Sequence, residues 1–319
     1  MINRDTSNQL KTNNEQTRIA VLDLGTNTFH LLIADIETGR KSKIVYQETI
    51  AVRLGEGSIS EGTISQEALT RGINALKTFK NRIGDYQARA VKTAATSAIR
   101  SAAIGKEFIE KIKAETGLVV EVIDGEREAD LIYQGVRAAI ELNQVSLIVD
   151  IGGGSVEFII CDSETVFWKK SYPIGAARLM EKFHKNDPIP EAGVLELQIY
   201  LDNNLADLHY QIALYNPRLM IGSAGSFETF AELQDADFKV SFDKPEFDID
   251  LDLFNHISER IIKSTHAERQ QMPAIPAVRV DMIVVSTIMA RYIIDKSGVN
   301  ALKLSSYSLK EGLLFEMEK

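Results

Sequence analysis

One short motif stands twice in this chain, without a gap and 127 positions apart, as from Asp23 to Asp150. Val21-Leu22-Asp23-Leu24-Gly25-Thr26-Asn27-Thr28 aligns with Ile148-Val149-Asp150-Ile151-Gly152-Gly153-Gly154-Ser155. The match continues over residues 29–33 against 156–160, and Asp35, Glu37 and Thr38 fall on Asp162, Glu164 and Thr165. Each copy reads as an apolar strand, an aspartate, a glycine-bearing turn with a hydroxyl, and a second apolar strand. Such a hairpin tip can hold phosphate: peptide N–H groups of a Gly-rich turn form an anion-binding concavity, and the adjacent carboxylate can hold a cation. One strand–turn–strand segment is a weak pattern. An ungapped second copy is a statement about architecture, and it predicts two similar domains facing each other across a phosphate-sized cleft.

Length agrees, since 319 residues exceed the size at which single cores stop growing. The net charge of −9 disfavours a general nucleic-acid-binding surface, so a polyanionic substrate requires a locally basic cleft. Cys161 is the single cysteine, which excludes an internal disulfide and fits a reducing compartment. It lies in the second copy's outgoing strand and reads as a small buried hydrophobe rather than a nucleophile. The histidines show no HxxxH spacing, so zinc is not indicated. No apolar run reaches membrane-spanning length. Residues 1–17 are polar and Asn-rich without an apolar stretch, which predicts a flexible arm rather than a secretory leader, and a cytoplasmic protein.

Residues 19–25, 29–36 and 43–54 read as successive strands, with a turn at Glu37-Thr38-Gly39-Arg40. A helix follows with Ser65 as N-cap and Leu69, Ile73, Leu76, Phe79 and Ile83 as its apolar stripe. Further expectations are a strand over 88–92, a helix over 106–116 closed by Gly117, a strand over 118–123 and a helix over 126–142. The second half repeats the order: strands over 147–151, 156–161 and 165–173, a helix over 176–184, and one long helix from Pro190 to about Tyr215. A strand over 218–221 enters Gly222-Ser223-Ala224-Gly225-Ser226 with a helix behind it. Residues 282–294 read as a buried helix, 301–306 as a last strand and 309–317 as a last helix. Strands alternating with helices predict an α/β protein, largely parallel with antiparallel hairpins.

At this point the chain resembles the exopolyphosphatase/guanosine pentaphosphate phosphohydrolase family, in its short two-domain form, within the actin-like ATPase superfamily. The resemblance rests on Asp23-Leu24-Gly25-Thr26-Asn27-Thr28-Phe29-His30-Leu31-Leu32, Val52-Arg53-Leu54-Gly55-Glu56-Gly57, Thr96-Ser97-Ala98-Ile99-Arg100 and Gly125-Glu126-Arg127-Glu128-Ala129. It rests further on Asp150-Ile151-Gly152-Gly153-Gly154-Ser155-Val156-Glu157, Pro173-Ile174-Gly175-Ala176-Ala177-Arg178-Leu179 and residues 222–226. It implies two actin-like (ribonuclease H-like) domains, each a mixed, five-stranded-type sheet flanked by helices, with a cleft between them. The expected division is an arm over 1–17, a first domain over 18–125 plus 308–319, and a second over 126–307. Hinge closure of the cleft and a possible homodimer are also expected.

Hydrolysis of a phosphoanhydride requires the phosphoryl group held, its charge neutralised and a water aimed in line. The turns at Gly25, Thr26 and Asn27 and at Gly152, Gly153, Gly154 and Ser155 are expected to hold the phosphate, with Gly222 and Gly225 beside them. Asp150 is the first choice as a Mg²⁺ ligand, with Glu157 and Asp23 as candidates. The resemblance gives Glu128 the role of positioning or deprotonating water. Arg53, Arg100 and Arg178 are expected along the phosphate path, and Lys92 is a weaker candidate. The plainer readings are turn caps for the aspartates, a helix-dipole site for Glu128, surface positions for Arg53 and Arg178, and a packed, hydrogen-bonded His30. Glu157 sits between apolar residues on a strand, an awkward place for a purely structural carboxylate.

The chain departs from the family pattern. Arg127 stands where Glu is usual and Asp130 where Arg is usual, a swap that either keeps an ion pair or alters the substrate's charge environment. Gly222-Ser223-Ala224-Gly225-Ser226 replaces Gly-Thr-Gly-Gly-Thr, glycines expected near Val284-Val285-Ser286 are missing, and Lys310 stands where Arg is usual before Glu311-Gly312. The leading expectation is a Mg²⁺-dependent hydrolase releasing terminal orthophosphate from inorganic polyphosphate. The alternatives are a guanosine pentaphosphate phosphohydrolase, a non-catalytic sensor of guanosine tetraphosphate or pentaphosphate, and an ATP-dependent kinase. Tyr307, Phe227 and Phe230 are candidates for a nucleoside pocket no better than core aromatics.

Overall fold

A computed structural model describes residues 17–37, 42–57, 59–223, 225–235 and 244–318. The arm before residue 17, the turn residues 38–40 and Ala224 lie outside them. The first half runs β1 (Thr17–Leu24), β2 (Thr28–Ile36), β3 (Lys43–Ala51), α1 (Gln66–Asp85), β4 (Ala90–Ala95), α2 (Ser97–Ser101), α3 (Gly105–Thr116) and β5 (Glu121–Val122). Then come α4 (Gly125–Ala139), β6 (Ser146–Ile151), β7 (Val156–Cys161), β8 (Val166–Tyr172), α5 (Ala176–Phe183), α6 (Glu191–Asn204), α7 (Ala206–Tyr215) and β9 (Leu219–Ser223). The chain ends with α8 (Gly225–Gln234), β10 (Glu246–Ile249), α9 (Leu251–Lys263), α10 (His266–Gln270), α11 (Ile283–Ser297), β11 (Ala301–Ser305) and α12 (Leu309–Met317).

Two mixed sheets result, ordered β3-β2-β1-β4-β5 and β10-β11-β9-β6-β7-β8. The repeat is visible in their pairing. β1 and β6 each pair antiparallel with the next strand, at Asp23↔His30 and Asp150↔Glu157, and parallel with a later strand on the other side. Register shifts fall between Ile33 and Ala34 in one copy and between Ile160 and Cys161 in the other, the same repeat position. Both turns need glycine for the same reason: a Cβ on Gly25 or on Gly152 would lie 2.9 Å from the carbonyl oxygen of Thr28 or Ser155.

Strand alternation sorts the apolar residues into layers. Leu22 and Leu24 face α1 and α3, whereas Ile19 and Val21 share a core with α4 and α12. In the second sheet Val149 and Phe158 join the outer core, whereas Ile148 and Ile159 enter the same middle core as Ile19 and Val21. α4 and α12 thus lie between the two sheets, each burying one face on each side. By parity Asp23, His30, Asp150 and Glu157 project from the inner faces, at the end of this layer where the strands stop.

Several expectations are corrected. The single helix from Pro190 is two, because Leu205 leaves helical geometry at φ −113° and ψ 20°. β4 begins at Ala90 and reaches Ala95, and the 118–123 segment pairs only at Glu121–Val122. The sheets are as much antiparallel as parallel, because each hairpin acquires a third antiparallel strand. The second sheet has a sixth strand, β10, and α9 and α10 follow it. The signal for α9 was present: Asp250 caps its start by accepting from Leu253 N, and Phe254, Ile257 and Ile261 form its stripe.

α4 and α12 cross at two glycines. A Cβ on Gly135 would lie 2.1 Å from Ser308 O, and one on Gly312 would lie 2.0 Å from Leu131 O. Neither neighbour is a flexible side chain, so the helices must separate. Gly312→Ala is expected to destabilise the fold by about 1–3 kcal/mol or more, a typical overpacking cost. Denaturant midpoints check this, and a midpoint equal to that of the native chain would refute the close crossing.

Candidate active site

The two hairpin tips meet. A Cβ on Gly153 would lie 2.4 Å from Asn27 Nδ2, and one on Gly154 would lie 2.6 Å from Ser97 Oγ and 2.7 Å from Thr26 Oγ1. Carbonyls of both tips are occupied from behind: Arg53 N and Leu54 N donate to Asn27 O and Thr26 O, while Ala176 N and Ala177 N donate to Gly152 O and Gly153 O. Among the described residues no backbone acceptor takes the N–H groups of Thr26, Asn27, Gly153 or Gly154. Under these tips lies a cavity of about 160 Å³.

Its wall carries five carboxylates, Asp23, Glu128, Asp150, Glu157 and Glu228, against two cations, Arg279 and Lys310. Burial lifts Asp23 from 3.8 to about 8, with Glu128 and Asp150 nearby adding repulsion. Burial also raises Glu128 to about 7, although Arg100 Nη1 donates to its Oε2 at 2.8 Å. Asp150 is raised by burial while Ser308 Oγ donates to its Oδ2 at 2.7 Å. Glu157 is pushed well above the usual carboxylate range, by burial first and then by Glu128 and Asp150, while accepting from Ser171 Oγ at 2.6 Å. Asp23 Oδ1 is buried with no partner. Such a set is short of positive charge, and a divalent cation fits it. Among the described residues no three acidic, His or Cys side chains close on one point.

A family model described as the Ppx/GppA phosphatase family matches residues 32–319. The chain belongs to this family. The crystal structure of an exopolyphosphatase from Cytophaga hutchinsonii superposes with a TM-score of 0.92 at 37% identity, covering 95% of this chain and 98% of that one. A family member from Aquifex aeolicus gives 0.78 at 26% identity, over 95% of this chain and 98% of its own. Exopolyphosphatase 2 of Mycobacterium tuberculosis is 28% identical over 321 residues, 94% of this chain and 98% of that protein.

The structure brings most of the sequence candidates to one place. Asp23, Gly25, Thr26, Asn27, Glu128, Asp150, Gly152, Gly153, Gly154, Ser155, Glu157 and Gly225 all line the cavity. It does not bring Arg53, Arg100, Arg178 or Gly222 to the wall. Arg100 stands behind Glu128, and its Nη1 also donates to Ile123 O at 2.9 Å. Arg178 spends its guanidinium on Gly154 O, Ile59 O and Ser101 Oγ, a tie between the second tip and the first half of the chain. Arg53, at φ +45°, reaches Ala277 O at 3.0 Å. Gly222 lies inside β9, where a Cβ would lie 2.0 Å from the Phe227 ring. Lys92 is paired with Glu316 at 2.7 Å.

The family departures find physical readings. Arg127 does not pair with Asp130. It pairs with Glu316 on α12, while Asp130 holds Lys169 of β8 at 2.5 Å, so both staple α4 to its neighbours instead of facing the cavity. His30 lines the cavity as a neutral ring, lowered to about 3 by burial and then by Lys310 and Arg279, with Thr28 and Thr49 hydroxyls on its two nitrogens. Arg279, Glu228 and Ser308 were missed by sequence reasoning. Arg279 arrives on an irregular turn with no motif. Ser308 carried a signal, because Ser308 and Glu311 form a capping box at the start of α12.

The raised carboxylates link stability to pH. Asp23 and Glu128 bind protons more tightly folded than unfolded, so their stabilisation is complete below the unfolded values of 3.8 and 4.5 and is lost as pH rises through about 8 and about 7. In EDTA the thermal midpoint is therefore expected to fall from pH 4 towards pH 8. Mg²⁺ is expected to reverse the fall, and Asp23→Asn to flatten it. A midpoint independent of pH in EDTA would contradict the burial of these groups.

Proposed function

We propose that this chain is a Mg²⁺-dependent phosphohydrolase that releases terminal orthophosphate from inorganic polyphosphate. One observation carries the reading: Glu128, raised to about 7, lines one cavity with two glycine-bearing tips, and among the described residues no backbone acceptor takes the N–H groups of Thr26, Asn27, Gly153 or Gly154. The likeness to exopolyphosphatases over nearly the whole chain supports hydrolysis of a phosphoanhydride bond.

The turn N–H groups hold the non-bridging oxygens of the terminal phosphoryl group. Glu128 accepts a proton from the attacking water as the water oxygen bonds to phosphorus and the bridging P–O bond breaks. The shortened chain leaves with the bonding electron pair. Arg100 fixes the orientation of Glu128 and limits how far its basicity rises. Asp150, Glu157 and Asp23 are the residues that would hold Mg²⁺. When bound, the ion neutralises charge that develops on the phosphoryl and leaving oxygens.

Polyphosphate is favoured over guanosine pentaphosphate by what lines the cavity. No Phe, Tyr or Trp side chain is among its described lining residues. Phe227 and Phe230 pack edge to face within the core, and Tyr307 is buried. A cavity of about 160 Å³ has room for a phosphate with its water and cation.

Phosphate release from long-chain polyphosphate and from guanosine pentaphosphate, with Mg²⁺ and with EDTA, tests the proposal. Release is expected from polyphosphate, dependent on the metal. Glu128→Gln is expected to lower kcat about 10²- to 10⁴-fold, the usual weight of a general base. A folded protein that releases nothing from either substrate, or a Glu128→Gln variant of full activity, would refute it. Preferential turnover of guanosine pentaphosphate would replace the substrate assignment and keep the chemistry.

A further inference from the structure

The cavity holds two side-chain cations, and they are differently engaged. Arg279 is spent on its own wall: its Nη2 lies 3.1 Å from Glu228 Oε2 and its Nη1 donates to Thr229 Oγ1 at 3.3 Å. Lys310 is not. Its Nζ meets Glu311 Oε1 at 3.1 Å, a contact that takes one of the three ammonium N–H groups. Among the described residues no other side-chain hydrogen bond from the ammonium is found.

The backbone that carries Lys310 is fixed. Ser308 N donates to Glu311 Oε2 at 2.8 Å in the capping box, and Ser308 Oγ donates to Asp150 Oδ2 at 2.7 Å. Lys310 therefore enters the cavity from a helix start that is already bonded to Asp150, a carboxylate of the cavity wall. Only 16% of its side chain is exposed. Its charge is nevertheless kept: burial opposes it, but Glu311, Glu228 and Asp23 more than offset burial.

We propose that Lys310 is a phosphate-contacting residue, whose ammonium donates to a non-bridging oxygen of the bound terminal phosphoryl group on the Asp23 side of the cavity. A polyanion entering a wall of five carboxylates needs fixed positive charge as well as a diffusible metal ion. Lys310 is a wall cation with unspent donors, and its flexible stem is held by burial, so little order is lost on binding. The assignment rests on the phosphohydrolase reading for the substrate's identity. It does not rest on that reading for anion binding.

The experiment is calorimetric titration with inorganic phosphate, in Mg²⁺, of the native chain, Lys310→Met and Lys310→Arg, with polyphosphate kinetics and thermal melts on the same samples. Loss of a charge-assisted hydrogen bond is expected to weaken phosphate binding about 10- to 100-fold in Lys310→Met and to raise KM for polyphosphate in step. Lys310→Arg is expected to restore most of the binding. A folded Lys310→Met that binds phosphate as the native chain does, with only its melting temperature changed, would reduce Lys310 to a structural counter-ion of Glu311. Should Lys310→Met fail to fold, the double variant with Glu311→Gln removes both charges and poses the same question. Weakened phosphate binding in a protein that hydrolyses no polyphosphate would keep the Lys310 assignment and refute the substrate.

Discussion

Everything at the site depends on how closely α4 and α12 cross. Gly135 and Gly312 let each backbone touch the other, and the apolar faces of both sheets close on the pair. That crossing carries Glu128 on one helix and Ser308 and Lys310 at the head of the other to the strand ends bearing Asp23 and Asp150. Wider spacing would leave the middle layer loose and would part Glu128 from Asp23 and Asp150. The apolar layer and the polar cavity are thus two ends of one packing solution.

Concentrating carboxylates there is costly, and the surroundings show how the cost is met. Hydroxyls of Ser171 and Ser308 donate to Glu157 and Asp150, and Arg100 faces Glu128. What they leave uncompensated is a demand for cations, and that demand makes an acidic cavity a suitable host for a polyanion accompanied by a divalent ion. The expectation of a basic cleft lined by Arg53, Arg100 and Arg178 therefore gives way to a wall of five carboxylates with Arg279 and Lys310, and Arg100 standing behind Glu128.

The hairpins, the Ser65 cap, the Gly117 C-cap and the span of α12 were legible because each is dictated by neighbours in sequence: alternation, a cap side chain, a glycine in left-handed geometry. The fate of Arg53, Arg100 and Arg178 was not. A guanidinium looks the same in sequence whether it meets phosphate or a carbonyl, and tertiary contact decides. Arg279 was illegible for a related reason, since its place depends on an irregular turn packing under α8. The split at Leu205 and the extra strand β10 lie where short elements compete weakly with their alternatives, so local pattern could not decide them.

The matched bulges and the matched Gly25 and Gly152 contacts make the two hairpins near-copies down to their backbone defects. A duplicated scaffold has no preferred direction: left to itself it would treat both ends of a reacting bond alike. The copies differ where His30, a neutral ring, answers to Glu157, a carboxylate. That mismatch, with Thr26 and Asn27 standing against Gly153 and Gly154, breaks the internal symmetry of the cavity wall. The two sides of the cavity are therefore chemically unlike, although the hairpins that build them share one backbone plan.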